Sequence, residues 1–344
     1  MRNALLYSIF CLCLFSCEKE ISIPMEYTKP KLVVNCLLTE GEPIDIEVSK
    51  SKFIYDTSAL ELLDNAKVTL WGGGQEIILE QMGNGRYYSP ELIAENTTYT
   101  LAVANDGLAN VAAETQVFAP VEAGNLKIGG ITRYEESEYR RLSFTLSDAP
   151  GDDFYSFHIL RKLAQKLPNE HGMFPQFICD YGYDGECEPV VPEGWYYNEE
   201  TGMVFPEGEE PFDGTDYSSF LLYFMPQGAI AGEESGMEVE EYFFRDTYFE
   251  GNTVQVDVLI SPYDATGSAD DSLVVVLSRI SESYFLYKTS LEMYHESDGL
   301  MSQPVQVYSN ISGGHGFFGA RSPKRISVAV SDGEEEYIGD KIYY

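Results

Sequence analysis

The chain is short of positive charge. Its 344 residues carry 22 Lys and Arg against 56 Asp and Glu, a formal net charge of −34. A nucleic-acid binder needs a basic footprint to displace counterions from phosphate, so nucleic acid is excluded as a partner. The same deficit excludes docking on an anionic lipid surface by charge alone. Histidine is scarce: His158, His171, His295 and His315 make up the whole set. No two fall at HExxH or any usual zinc spacing. Also lacking are GxSxG, a Walker A loop and GxGxxG after a strand. No apolar run approaches 18 residues, so no transmembrane helix is expected. Asp180 to Gly185 opens like a calcium loop. It lacks the side-chain oxygen needed at Gly182, and Val191 replaces the twelfth-position Glu. No metal and no cofactor are therefore assigned, and the chain is not expected to be an enzyme. Carboxylate pairs for glycoside hydrolysis are available. With 56 acids, though, chance pairs carry no weight, and a hydrolase is the lesser alternative.

Apolar matter is not lacking. Hydrophobic residues are 44% of the chain and aromatics 13%, with 25 Tyr and 19 Phe. That is enough for a real core. At the N-terminus Arg2 precedes an apolar run from Ala4 to Phe15, too short to span a bilayer and typical of a secretory leader. Leu14-Phe15-Ser16-Cys17 follows, with a small residue before the thiol that can carry a diacylglycerol. Residues 1–16 are read as a lipoprotein signal peptide, Cys17 as the lipidated residue and 17–30 as a tether. Removing the leader takes one cation, Arg2, and no acid, so the mature charge is −35. An anionic surface repels such a body, so acyl chains, at about 0.8 kcal/mol per buried CH₂, would have to hold it there. Three further Cys remain. Cys179 and Cys187 bracket a turn-rich stretch and read as a local disulfide in an exported protein. Cys36 reads as a buried thiol.

From Lys31 the pattern is strand-like. Leu32 to Leu38 is a buried run, and Ile44, Ile46 and Val48 alternate with polar residues. Asn84-Gly85, between Ile77–Leu79 and Arg86–Tyr88, signals a hairpin, as does Asn105-Asp106-Gly107. A β-sandwich is expected over 31–120 and a second over 121–330, so the predicted fold class is mainly β, two Ig-like sandwiches. Val305–Tyr308 and Arg325–Val330 read as the closing strands. Helical period appears only at 281–294, with Tyr284, Tyr287, Leu291 and Tyr294 on one face and Ser281 at its N-terminus. Residues 331–344 read as a tail. The glycine-rich stretch from Gly313 to Gly319 reads as a structural bend, with a ligand-facing loop around His315 as the alternative.

Residues 168–250 stand apart, with 20 acids, one cation (Arg245) and 18 aromatics in 83 positions. So long a segment, too aromatic for a solvated linker, reads as an insertion covering one end of the second sandwich. Aromatic faces stack on sugars and attract cations, while the local charge repels anions. A ligand here would be neutral or cationic: a glycan, a peptide, a metal complex or a protein surface. The candidate rings are Trp195, Tyr196, Tyr197, Phe205 and Phe212, with simple core packing as the alternative.

Several segments together resemble a known family: the lipobox through Glu18-Lys19-Glu20, then Pro30 to Val34 and Leu37 to Gly41, then the 284–294 helix. Pro304 to Ile311 and Phe317-Phe318-Gly319 complete the set. The chain resembles the Bacteroidetes outer-membrane lipoproteins grouped as domain of unknown function 4249. The acids after Cys17 also resemble the surface-export signal of such lipoproteins. The resemblance implies an outer-membrane, outward-facing location and an accessory role beside a TonB-dependent transporter, with no catalytic residues to carry over. An adhesin or envelope structural protein is the alternative.

Overall fold

The computed structural model describes residues 29–330 except 54–55, 136, 164–176, 180–186, 190, 192–193, 199–202, 207–218, 231–237, 266–270 and 298–304. The leader, Cys17, the tether through residue 28 and the tail 331–344 lie outside the described residues. The protein is mainly β. Its first part holds β1 (Leu32–Thr39), β2 (Ile44–Lys50), β3 (Glu61–Leu62), β4 (Lys67–Gly72), β5 (Gln75–Ile77), β6 (Glu80–Gly83), β7 (Arg86–Ser89), β8 (Thr97–Ala104) and β9 (Val111–Val117). There follow β10 (Glu122–Tyr134), β11 (Ser137–Ser147) and β12 (Phe154–Lys162), then β13 (Phe177–Cys179), β14 (Cys187–Pro189), β15 (Trp195–Asn198) and β16 (Met203–Pro206). The remainder is β17 (Ser219–Leu222), β18 (Phe224–Gln227), β19 (Glu241–Arg245), β20 (Thr253–Ile260), β21 (Ser272–Ile280), helix α1 (Glu282–Glu296) and β22 (His315–Ala329).

Side-chain alternation sets the layers. In β2, Ile44, Ile46 and Val48 are buried while Asp45 and Glu47 face water, as a period of two requires. Asn84 and Gly85 both take positive φ (54° and 69°), the backbone that matches strand twist in a two-residue hairpin. The hairpin joins β6 to β7, however, not the expected Ile77–Leu79 run. That run carries the chain from one layer to the other and leaves Ile78 82% exposed.

One long sheet orders its strands β17-β12-β21-β22-β1-β2-β7-β6, with β19 also on β12 and β3 on β2. A second sheet, β5-β4-β8-β9, covers its N-terminal half, and a third, β10-β11-β20-β18, is the other layer of its C-terminal half. The facing layers enclose two cores. Val34, Ile46, Leu70, Leu101 and Phe318 centre the first; Phe144, Phe157, Phe224, Val256 and Val275 centre the second.

Two departures from the sequence reading follow. First, the two β units share a strand. The first seven residues of β22, His315 to Arg321, pair parallel with β1 from Val33 to Thr39. From Arg321 to Ala329 the same strand pairs antiparallel with β21. The unit begun at residue 31 is thus completed by residues near 315, and Ile311, Phe318 and Ala320 belong to its core. Residues 305–308, read as a strand, make no ladder. The glycines read as a bend lie in or beside a strand. A Cβ on Gly316 (φ +93°) would sit 2.1 Å from the Val34 carbonyl oxygen, and one on Gly314 2.7 Å from that of Leu32. Glycine is used because β22 passes too close for a side chain.

Second, 168–250 is not one insertion. From Ser219 onward it supplies β17 and β19 to the long sheet and β18 to the third. Leu222, Phe224, Tyr242, Phe244 and Phe249 are buried in the second core. Core packing, not display, explains these rings.

Helix α1 is seated by Ser281. Its hydroxyl oxygen accepts from the Tyr284 N–H at 3.3 Å, capping the helix, and from the Ala320 N–H of β22 at 2.9 Å. Tyr284 and Phe285 pack on Leu37, Phe154, Phe243 and Phe317, and Tyr287 stacks on Phe317 at 4.1 Å between ring centres.

Candidate functional site

Where the two units meet, two turns clip together. The first, Asp148-Ala149-Pro150-Gly151-Asp152-Asp153, connects β11 to β12; the second, Asp246 to Asn252, connects β19 to β20. Pro and Gly make the first turn, and backbone bonds join it to the second: Asp148 N–H to Asn252 O (3.1 Å) and Asp246 N–H to Asp153 O (3.3 Å). The result brings carboxylate oxygens of Asp148, Asp153 and Asp246 within 4.8 Å of one another. Asp153 and Asp246 are buried.

The donors are all internal. The Tyr155 hydroxyl donates to Asp148, and the Gly251 N–H donates to the same carboxylate at 2.7 Å. Arg279 donates twice to Asp153, at 2.9 and 2.5 Å. The Asp153 N–H donates to Asp246 at 2.9 Å. Burial raises the Asp153 carboxyl above its ordinary range, against the pull of Arg279. Burial also raises Asp246, and the charges of Asp148 and Asp153 add to it. Burial and the bond to Asp148 push the Tyr155 phenol up, so it stays a donor. Oxygen donors of this kind suit a hard cation. Here, however, each carboxylate already has a protein donor and Arg279 supplies charge, so no metal is assigned.

Beside the cluster opens a cleft of about 460 Å³ lined by Phe118, Asp152, Asp153, Phe154, Arg245, Asp246, Glu250 and Glu282, among others. Its lining cation is engaged: Arg245 lies 5.0 Å over Phe154 and 4.9 Å over Phe285; nearby, Arg279 lies 4.5 Å over the lining ring of Phe118. Acids remain in excess along the wall, so the cleft favours a neutral or cationic group and repels an anion.

The rings named from the sequence lie elsewhere. Trp195, Tyr196 and Tyr197 are half-buried on β15, and none lines this cleft. Strand alternation puts Trp195 and Tyr197 on one face of the hairpin and Tyr196 on the other, so the three do not form one platform. Phe205 pairs opposite Tyr196 by backbone register; its side chain, and all of Phe212, lie outside the described residues. So does the calcium-like segment 180–185. Cys179 pairs opposite Cys187 across the β13–β14 hairpin, and their side chains are likewise outside. Cys36 is buried and unbonded to another cysteine, and burial pushes its thiol up. His158 on β12 is partly buried and its pKa is lowered by burial. His295 on α1 and His315 on β22 do not join it.

Sequence reasoning missed the junction cleft. Its one local signal is the run Asp148 to Asp153, three Asp around Pro-Gly, which by itself states only a turn. Asp246 and Arg279 reach it from positions about 100 residues or more away.

The fold and site define a class: a mainly β protein of two units on one continuous mixed sheet, with an acid-lined cleft where they join. Within that class the chain belongs to a particular family. A family model described as "Domain of unknown function (DUF4249)" matches residues 18–327. No curated protein matches the chain.

Proposed function

We propose that this protein is an outer-membrane lipoprotein, held by acyl chains on Cys17 and facing the cell exterior. In this reading it acts without catalysis, as an accessory or ligand-capture partner of a TonB-dependent transporter. The observation that carries the reading is the N-terminal order: apolar leader, Leu14-Phe15-Ser16-Cys17, then a β body whose described part begins only 12 residues later at Lys29. The body suits such a post. β22 runs beside β1 from the end where the chain enters, then on into the second unit. At about 3.3 Å per residue, its 15 residues carry the second unit outward by tens of ångströms. The cleft at the junction and the acid-rich 168–250 segment favour a neutral or cationic ligand such as a glycan, a peptide or a metal complex. None of the described helices is long and apolar enough to cross a membrane, so the acyl chains are the proposed means of attachment.

The experiment is labelling with radioactive palmitate, compared between the parent and Cys17→Ala, followed by capture from detergent-solubilised outer membrane. Label in the parent alone, and recovery of a TonB-dependent transporter, are expected. An unlabelled parent would overturn the anchor. A labelled protein that captures no transporter would leave the anchor and favour an adhesin or envelope structural role, to which two β units in line on a tether are also suited.

A further inference from the structure

A chain of net charge −34 repels anions over most of its surface, but one cavity is built with the opposite sign. It measures about 340 Å³, and its lining holds two cations, Lys162 and Arg325, three hydroxyls, Ser219, Ser272 and Ser327, and no acid. Leu160 and Val274 give it an aliphatic floor. The cavity lies on the face of the long sheet turned away from the second core. Ile159 and Val275 are buried in that core, so their neighbours Leu160 and Val274 face the other way.

Strand register fixes the layout. Val274 of β21 pairs with Leu160 of β12 on one side and with Ser327 of β22 on the other. Lys162 lies two residues from Leu160, and Arg325 lies two residues from Ser327 in the opposite direction along the sheet. Val274 is therefore the diagonal neighbour of both cations, about 7–8 Å from each, a separation that long side chains span. An anionic group above Val274 is within reach of Arg325 from one side and Lys162 from the other.

The acids nearest in register are already paired. Asp271, which precedes Ser272, is buried and meets Arg161 at 3.0 Å. Glu241, opposite His158, lies 3.9 Å from Lys288. Arg325 is exposed and makes no ion pair among the described residues. At physiological salt a field reaches only about 8 Å, so this lining, not the charge of the whole chain, decides what approaches. From Val274 an aliphatic row continues through Leu160 to Leu221 of β17, which is 39% exposed. Three strands spaced about 4.8 Å apart make that row about 10 Å long. A carboxylate joined to an acyl chain matches both halves of the surface.

We propose that this face of the second unit binds an aliphatic carboxylate, with the carboxylate between Arg325 and Lys162 and the acyl chain along Val274, Leu160 and Leu221. The site is separate from the acid-lined cleft and does not depend on anchoring at Cys17.

Calorimetric titration of octanoate into the mature chain tests it, with acetate and inorganic phosphate as comparisons. Cys17→Ala keeps the protein's own acyl chains out of the experiment. Octanoate should saturate a single site and bind at least about tenfold more tightly than acetate or phosphate. Arg325→Gln should weaken octanoate at least about fivefold, and Arg325→Lys should recover part of the loss. Saturating octanoate should slow the acylation of Lys162, read by mass spectrometry, and leave that of Lys127 on β10 unchanged. Acetate or phosphate binding as tightly as octanoate would overturn the acyl row. Absence of saturable octanoate binding, an affinity unchanged in Arg325→Gln, or equal labelling of Lys162 with and without octanoate would overturn the site.

Discussion

Gly316→Ala puts the shared strand to a direct test. Two separable costs arise. The residue sits at φ +93°, where an L side chain is strained by about 1–2 kcal/mol. The added Cβ would also stand 2.1 Å from the Val34 carbonyl oxygen and 2.8 Å from the Asn35 side-chain oxygen. The first of these is more than about 1 Å inside ordinary contact and falls on backbone, which no rotamer change relieves. β22 must lift from β1 around the Val34–Gly316 pair, weakening two or three ladder hydrogen bonds at about 1 kcal/mol each. The sum is about 3–5 kcal/mol, a large part of the stability of an ordinary domain.

Gly41→Ala is the matched control: its φ is +74° and nothing lies within 4 Å of the added atom, so only the strain remains. Urea unfolding can be followed by tryptophan fluorescence in a Trp195→Phe background, which leaves Trp71 on β4 as the reporter for the N-terminal unit. The expected result is a midpoint for Gly316→Ala well below that of Gly41→Ala, with a difference of at least about 2 kcal/mol. A Gly316→Ala protein no less stable than Gly41→Ala would refute the close approach of β22 to β1 and the shared strand with it.

Ser281→Ala removes both the α1 cap and the acceptor for the buried Ala320 N–H; thermal unfolding should show a loss of about 2 kcal/mol, and Ser281→Thr should recover most of it. The junction acids give a pH signature. Asp153 and Asp246 have raised pKa values, so they bind protons more readily folded than unfolded. Their contribution is complete below the unfolded carboxylate pKa of about 4 and is lost as pH climbs through the folded values. Asp246→Asn should therefore flatten the fall in stability on that upward climb, and at pH 7 should be more stable than the parent by a few tenths to about 1 kcal/mol in parallel urea titrations. A variant–parent difference that does not change with pH would contradict it. Intact mass without reductant should show Cys179 linked to Cys187, as their opposed places in the hairpin allow, and reduction should lower stability by about 2–3 kcal/mol.

Much of the local structure was legible because it depends on near neighbours. The alternation of Ile44, Ile46 and Val48, the Asn84-Gly85 turn and the Ser281 cap each state their own conformation within a few residues. The shared strand was not legible for a definite reason. Its pairing, Val33 with His315 through Thr39 with Arg321, joins segments about 280 residues apart, and its glycines look like a loop when the neighbour that requires them is out of view. Aromatic density misled similarly. Phe224, Tyr242 and Phe244 are buried while Tyr223 and Tyr248 are 57% and 79% exposed, and composition weighs all five alike. The junction cleft needs Asp148, Asp246 and Arg279 together, and no spacing rule connects them.

The continuous sheet links these features mechanically. Ser281 binds α1 to β22 at Ala320, one residue before the point where β22 leaves β1 for β21. Ile280 pairs with Arg321 at the same point, and Ile280 also lines the cleft. A change of angle between the units would bend β22 there and shift the wall formed by Phe118, Ile280 and Glu282. β22 thus ties the wall of the cleft to the angle between the units. A ligand that fits the cleft at one angle better than another must bias that angle by its difference in affinity.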